Sequence, residues 1–298
     1  MSIAMTNEKA RLFGFLKPLA KRAAAAVRKV AKALGVSRPI ARLLKSKDGG
    51  PVRRIVNGRQ TKYTGFFISV KGDFAQMPWE SRKGEQPALV LAEASPRVVS
   101  LLAQPHRLEI FIREQRAPLK YFPDLELKVH PSFLADLLNG VPFSSAALAP
   151  SNDEPDADLK TLIIEIKDDR DSRQHDLRYK KKLELAETIY RKLGISFLII
   201  QRVEDIFPGH LRVASSVVSW RHTAVNQLDV WSAQRVLEGG EKIAADVVEA
   251  LGGGAVGWGK LRALHVRRIV EINLTDNVTP QSVVRLPRYN TMQVRVTS

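Results

Sequence analysis

Apolar and polar positions change period several times along the chain, and each change predicts an element. Residues 64–71, TGFFISVK, predict a strand. The stretch 78–95 opens on Pro-Trp-Glu-Ser and runs through ALVLAEA, which predicts a helix. Residues 106–116 and 119–130 predict two strands with a turn near Ala117-Pro118. In the second, Leu125, Leu127 and Val129 alternate with Glu126 and Lys128, the period of a half-buried strand. Residues 161–167, TLIIEIK, are an apolar run carrying two charges at its end. A charged helix over 174–193 and a buried strand over 195–201, ISFLIIQ, follow. Strands interrupted by helices in this way predict a mixed α/β sheet.

Three segments stand apart from that pattern. In residues 7–35, Leu12, Phe15, Leu16, Leu19, Val27, Val30, Ala31 and Leu34 recur near helical spacing with Lys and Arg between them. Pro18 should kink this helix, and Gly35, Ser37 and Pro39 should stop it. Residues 131–160 are rich in Ser, Pro and Asp and predict an inserted, partly disordered loop. Beyond Phe207-Pro208-Gly209 the chain predicts helices over 232–251 and near 258–270, then a polar turn and a short extended tail. With the break at Asp48-Gly49-Gly50-Pro51, this divides the chain into a basic helical extension (1–50), an α/β domain (51–206) and a small helical domain (207–298).

Composition sharpens the picture. The 298 residues carry a net charge of +16 and are 44% hydrophobic, enough for a core and for about two domains. The absence of cysteine excludes disulfides, thiolate nucleophiles and Cys-based metal sites, and fits a reducing compartment. No apolar run approaches the ~18 residues of a membrane span. Residues 1–72 hold 17 Lys and Arg against Glu8 and Asp48, so nearly all the excess charge sits at the front. A basic arm on DNA phosphates is the leading reading, with Lys21, Arg22, Arg28, Lys29, Arg53 and Arg54 as contacts. A membrane-surface helix, a transit segment and a helix packed on its own domain are the other readings.

Several motifs dissolve on inspection. Gly252, Gly254 and Gly257 match G-x-G-x-x-G, and Gly254, Gly259 and Lys260 approach a phosphate loop. A helix precedes them where either motif needs a strand, so a turn between helices is the better account. The six histidines form no close pair, and no G-x-S-x-G elbow exists.

One constellation remains. Glu165 and Lys167 alternate with Ile166 and so share one face of a strand. If 119–130 is the neighbouring strand, Asp124 joins them, and Glu80 and Glu85 lie near the start of a helix. Phosphodiester hydrolysis needs such a set. Asp124, Glu165 and the Ile166 carbonyl offer hard oxygens to Mg²⁺ or Mn²⁺, and Lys167 would orient the attacking water or neutralise developing charge. A helix-borne Glu would complete the shell or hold a second ion. This is the PD-(D/E)xK nuclease pattern; a surface strand ending in a Glu–Lys pair is the plain alternative.

Residues 64–205 resemble the catalytic domain of TnsA, the endonuclease subunit of heteromeric transposases. The resemblance is carried by Gly65-Phe66, Ser69, Trp79-Glu80-Ser81, Glu85, Ser95-Pro96-Arg97-Val98-Val99, Gln104-Pro105, Tyr121-Phe122-Pro123-Asp124 and Ile164-Glu165-Ile166-Lys167. It implies a restriction-endonuclease-like mixed sheet flanked by helices, and places the catalytic helix acid on Glu85, with Glu80 as the alternative. Gly84 and Pro87 bracket Glu85 where the family has continuous helix, so Glu85 should sit in a first turn. The resemblance further implies a winged-helix-like C-terminal domain with Lys260, Arg262, Arg267 and Arg268 facing DNA, and Gln104 near the nucleic acid. The implied activity is Mg²⁺-dependent cleavage of the 5′ ends of a transposon in double-stranded DNA. The implied partners are a DDE-type, TnsB-like transposase and an AAA+, TnsC-like regulator, in the cytoplasm at the nucleoid, with no small-molecule substrate and no membrane. A stand-alone nuclease of defence, repair or phage origin is the runner-up. A basic, non-catalytic DNA-binding protein is the reading from another class.

Overall fold

The computed structural model describes residues 40–53, 55, 63–112, 117–153, 157–168 and 176–288. The helix predicted over 7–35, with Lys21, Arg22, Arg28 and Lys29, lies outside the described residues, as does Arg54. In chain order the elements begin β1 (Ala41–Leu44), β2 (Gly65–Ile68), β3 (Gln76–Trp79), α1 (Glu85–Ala94), β4 (Val98–Ala103), β5 (Arg107–Ile110), β6 (Leu119–Tyr121) and β7 (Leu125–Val129). Next come α2 (Pro131–Leu138), α3 (Phe143–Leu148), β8 (Lys160–Lys167), α4 (Leu177–Lys192), β9 (Ser196–Gln201), α5 (Arg202–Asp205) and α6 (Pro208–Val218). The chain continues through α7 (Gln227–Leu237), β10 (Lys242–Ile243), α8 (Ala244–Ala250), α9 (Gly254–Val266), β11 (Glu271–Ile272) and β12 (Val283–Arg285). The result is a mixed α/β structure, as the alternating pattern predicts.

These residues form two compact units, each assembled from separate stretches. Among the described residues, the first draws on 40–44, 106–112, 117–122 and 176–196. Its sheet has the order β1-β5-β6, antiparallel throughout, with Ala41 opposite Ile110 and Leu108 opposite Tyr121. Helix α4 turns Tyr179, Leu183, Ala186 and Tyr190 inward at helical spacing, and the Tyr190 hydroxyl meets His106 Nε2 at 2.6 Å.

The second unit draws on Lys45–Pro105, Pro123–Asp171 and Phe197–Ser298. Its main sheet has the order β4-β7-β8-β9. Leu125 pairs with Ile164 and Leu127 with Leu162, so these side chains share the core face. Ile163, Glu165 and Lys167 fall on the other face of β8 by the period of two, and that face is also buried. Helix α1 packs its Ala88, Leu91 and Ala92 side toward α3 and α6.

Several sequence-predicted boundaries move, each for a physical reason. The helix predicted from residue 78 starts at Glu85, because Pro78 and Trp79 pair with Phe66 and Gly65 in the β2–β3 hairpin. A Cβ at Gly65 would run into the Trp79 indole, so the pairing requires glycine there. The strand predicted over 119–130 breaks at Phe122–Asp124, where Pro123 has no N–H to give a ladder. The expected loop at 131–160 instead carries α2 and α3. Phe133 and Phe143 are wholly buried and meet edge to face at 5.9 Å. Arg97 ties this segment to the start of β4, donating to the Ala146 carbonyl and pairing with Asp136. Strand β9 stands at a sheet edge with Ile199 43% exposed, so only part of the expected buried strand is buried.

The helix predicted over 232–251 is two helices, α7 and α8, parted by Gly239-Gly240 and β10. Strands β11 and β12 complete a second antiparallel sheet in the order β10-β12-β11. Gly252, Gly253 and Gly254, all at positive φ, make the turn between α8 and α9.

Candidate active site

The acidic residues singled out in the sequence meet where β8 ends, β7 begins and α1 starts. Asp124 lies just before β7 rather than within a strand. Its carbonyl accepts from the Gln104 N–H at 2.9 Å, and its Oδ2 accepts from the Ile166 N–H at 2.8 Å. The side chain therefore takes over a backbone partner at the point where Pro123 interrupts the ladder. That brings it beside Glu165, one residue away on β8. Glu165 and Lys167 are both about 95% buried, and Lys167 Nζ donates to Glu165 Oε1 at 2.7 Å. A charged pair this deep is held by its geometry, since desolvation opposes it.

Glu85 is the first residue of α1, the first-turn position that Gly84 and Pro87 suggest. A Cβ at Gly84 would stand 3.0 Å from the Ile166 Cγ2, so glycine lets the helix start close against β8. Glu85 Oε2 accepts from the Glu80 N–H at 2.9 Å. Glu80 faces a different partner: its Oε1 accepts from Arg53 Nη2 at 2.8 Å.

The electrostatics record a surplus of negative charge. Burial pushes the Asp124 carboxyl well above the usual carboxylate range. Repulsion from Glu165 and Glu85 adds to this, against the Ile166 N–H and Lys167. Burial, with repulsion from Glu80 and Glu165, pushes Glu85 up to about 7, against the Glu80 N–H and Arg53. Among the described residues, no three of the His, Asp and Glu side chains are arranged to hold a metal ion as they stand. The donors that do meet are Asp124 and Glu165, beside the main chain of Ile166. Hard oxygens short of positive charge are a fitting environment for Mg²⁺ or Mn²⁺, with water filling the remaining positions. They are a poor one for a softer metal, since among the described residues no sulfur or imidazole joins them.

The other end of α1 is held by contacts that the sequence did not announce, among them those of Arg268, which was expected to face DNA, and of Ser69. Lys71 donates to the carbonyls of Ala92 and Ser95, His265 Nε2 donates to that of Ala94, and Arg268 Nε donates to that of Pro96. Buried Glu93 accepts from the Ser69 hydroxyl and the Val70 N–H, both at 2.6 Å. Glu93 had a sequence signal, a lone charge inside the apolar run ALVLAEA; nothing in the sequence paired it with Ser69 or Val70.

Residues expected to face DNA are engaged with protein groups instead. Gln104 is 1% exposed, and its Oε1 accepts from Arg53 Nη1 at 3.3 Å. Lys260 pairs with Asp229 at 2.7 Å, and Arg262 stacks over Trp220 and Trp258. Arg267 donates to the Thr223 and Ala263 carbonyls, and Arg268 reaches His130 Nε2 at 2.6 Å. Helix α9 turns inward against α6 and α8, which is why its cations meet carbonyls and rings. No helix among the described residues is long and apolar enough to cross a membrane. No protein-family model matches the chain, and no curated protein matches its sequence.

Proposed function

We propose that the chain is a metal-dependent DNA endonuclease of the PD-(D/E)xK type. One observation carries the reading: Asp124, Glu165 and Lys167 are brought together at a strand end, with Glu85 on the adjoining helix start and more buried negative charge than Lys167 offsets. In this reading Asp124, Glu165 and the Ile166 carbonyl hold Mg²⁺ or Mn²⁺, which when bound supplies Lewis-acid charge at the scissile phosphate. Asp124 and Glu165 bind and orient. Lys167 holds its ammonium next to Glu165, where it can position an attacking water or face the developing oxyanion. Glu85 completes the acidic set, and Glu80 stays paired with Arg53 outside it.

The wider reading is a TnsA-like subunit that cuts the 5′ ends of a transposon with a TnsB-like transposase and a TnsC-like regulator, at the nucleoid. It is supported by the resemblance read over 64–205 and by the mixed α/β structure with its four-stranded sheet in the order β4-β7-β8-β9. The order α7, β10, α8, α9, β11, β12 with sheet order β10-β12-β11 supports a winged-helix-like end.

The test is supercoiled plasmid with Mg²⁺ or Mn²⁺, beside Asp124→Ala and Lys167→Ala. Metal-dependent nicking lost in both variants is the expected result. If the chain alone is silent, the assay is repeated with the transposase partner and an end-containing DNA; silence there overturns the nuclease. The concentration of positive charge in residues 1–72 favours a second reading, a non-catalytic phosphate binder. Such a protein would lose DNA steeply with salt and ignore Asp124→Ala.

A further inference from the structure

Asp124 and Glu85 are joined from behind by one unbroken chain of hydrogen bonds. The Asp124 carbonyl accepts from the Gln104 N–H at 2.9 Å, and Gln104 Oε1 accepts from Arg53 Nη1 at 3.3 Å. Arg53 Nη2 donates to Glu80 Oε1 at 2.8 Å, and the Glu80 N–H donates to Glu85 Oε2 at 2.9 Å. The Val52 N–H also donates to the Gln104 carbonyl at 2.9 Å, which fixes the backbone beside Arg53. Gln104 keeps the left-handed φ of +47°, which costs energy for a residue with a Cβ and persists where surrounding contacts enforce it.

We propose that Arg53 is a positioning residue for divalent-cation binding: it bridges the supports of Asp124 and Glu85 and holds Glu80 away from the acidic cluster. The proposal rests on the metal-site reading above. Guanidinium is suited to the task because two of its nitrogens donate in fixed directions to acceptors on different residues, which a single ammonium cannot reproduce. The Arg53–Glu80 pair is about one-third exposed on both sides, so it adds little to fold stability. Its effect should fall on the placement of the carboxylates it spans.

Coulomb attraction and positioning predict opposite signs here, and that makes the proposal testable. Removing a positive charge beside the site should tighten cation binding if charge alone matters. It should weaken binding if Arg53 sets the geometry. The experiment titrates Mn²⁺ into the full chain without DNA, followed by electron paramagnetic resonance of free Mn²⁺, for wild type, Arg53→Gln, Arg53→Lys and Glu165→Gln. Melting temperature and DNA affinity against salt are measured on the same samples.

The expected result is that Glu165→Gln abolishes Mn²⁺ binding and that both Arg53 variants weaken it roughly 10-fold or more. Melting temperatures should stay close to wild type and the salt slope of DNA binding unchanged. Arg53→Lys keeps the charge and serves where Arg53→Gln fails to fold. Equal or tighter Mn²⁺ binding in the Arg53 variants, with Glu165→Gln still abolishing it, overturns the positioning role alone. A reduced salt slope with unchanged Mn²⁺ binding also overturns it and makes Arg53 a phosphate contact. No Mn²⁺ binding in wild type, or full binding in Glu165→Gln, overturns the site reading and the proposal with it.

Discussion

The two ends of helix α1 are built on opposite principles. At its start, Glu85 lies near Asp124 and Glu165, and Glu85 and Asp124 are pushed up in pKa, first by burial and then by repulsion among these carboxylates. At its end, the carbonyls of Ala92, Ala94, Ser95 and Pro96 each receive a side-chain donor, and Glu93, which burial also pushes up, is opposed in that shift by the charge of Lys71 and by donors from Ser69 and Val70. Cations at a helix C-terminus also complement its dipole. The donor-rich end anchors the helix; at the acidic end like charges crowd together, and a proton or a bound cation relieves the repulsion. Strain of this kind belongs at functional sites and is tolerated because the rest of the helix is secured.

The contrast can be broken most forcefully at the acidic end. Asp124→Asn should lower nicking by roughly three orders of magnitude while leaving the far-ultraviolet circular dichroism unchanged. An active Asp124→Asn enzyme would remove the functional half of the comparison. The next largest effect belongs to the anchored end. Glu93→Ala leaves the Ser69 hydroxyl and the Val70 N–H without their acceptor and removes the charge that faces half-buried Lys71, and should cost about 3 kcal/mol, read from denaturant midpoints. A neutral result would mean that this end is no more satisfied than the other.

Acidity separates the two ends by sign. His265 is wholly buried, donates from Nε2 to Ala94 and accepts at Nδ1 from the Ile272 N–H, so its neutral form is fully matched. Burial pushes it down to about 4, and His130 falls to about 4 through burial and Arg268. The unfolded chain takes up these protons below about 6.5, so the stability they confer is complete above that pH. It is lost as pH falls toward 4, by about 3 kcal/mol for His265. His265→Gln should flatten that acid limb in stability-against-pH curves.

Glu85 runs the other way. The folded state holds its proton up to about 7, so in metal-free buffer the protonated carboxyl's contribution is complete below the ordinary value near 4.5 and is lost as pH rises through about 7. Glu85→Gln should therefore stabilise the metal-free protein at pH 8, by about 1–2 kcal/mol, and should respond less to added Mg²⁺. This is the smallest of the four effects. A destabilised Glu85→Gln would show that the acidic end is not under tension.

Much of the acidic end was legible in the amino-acid order. An apolar strand closing on Glu165 and Lys167 has a period of two, which commits both to one face wherever the strand pairs. Gly84 and Pro87 permitted a helix to begin at Glu85 and at few other places nearby. The anchored end was not legible, because Lys71, His265 and Arg268 are distant in sequence from α1 and carry no pattern that names their acceptors. The stretch 131–160 misled through composition: Ser, Pro and Asp hid the helical spacing of Phe133, Leu134 and Leu137. The protein contacts of the basic residues of α9 were not legible either. A cation with an apolar stem serves a carbonyl or an indole as readily as a phosphate, and only the packing of α9 chose between them.

By itself, the sequence determined what periodicity can dictate: the mixed α/β alternation and the shared face of Glu165 and Lys167. Tertiary structure alone decided which distant groups meet. It brought Asp124 onto the Ile166 N–H, joined Arg53 to Gln104 and Glu80, and drew His265 and Arg268 to the end of α1. The reason is physical. Side-chain direction follows from local dihedral angles, whereas the partner of a buried polar group follows from whatever the closed core leaves within hydrogen-bonding reach.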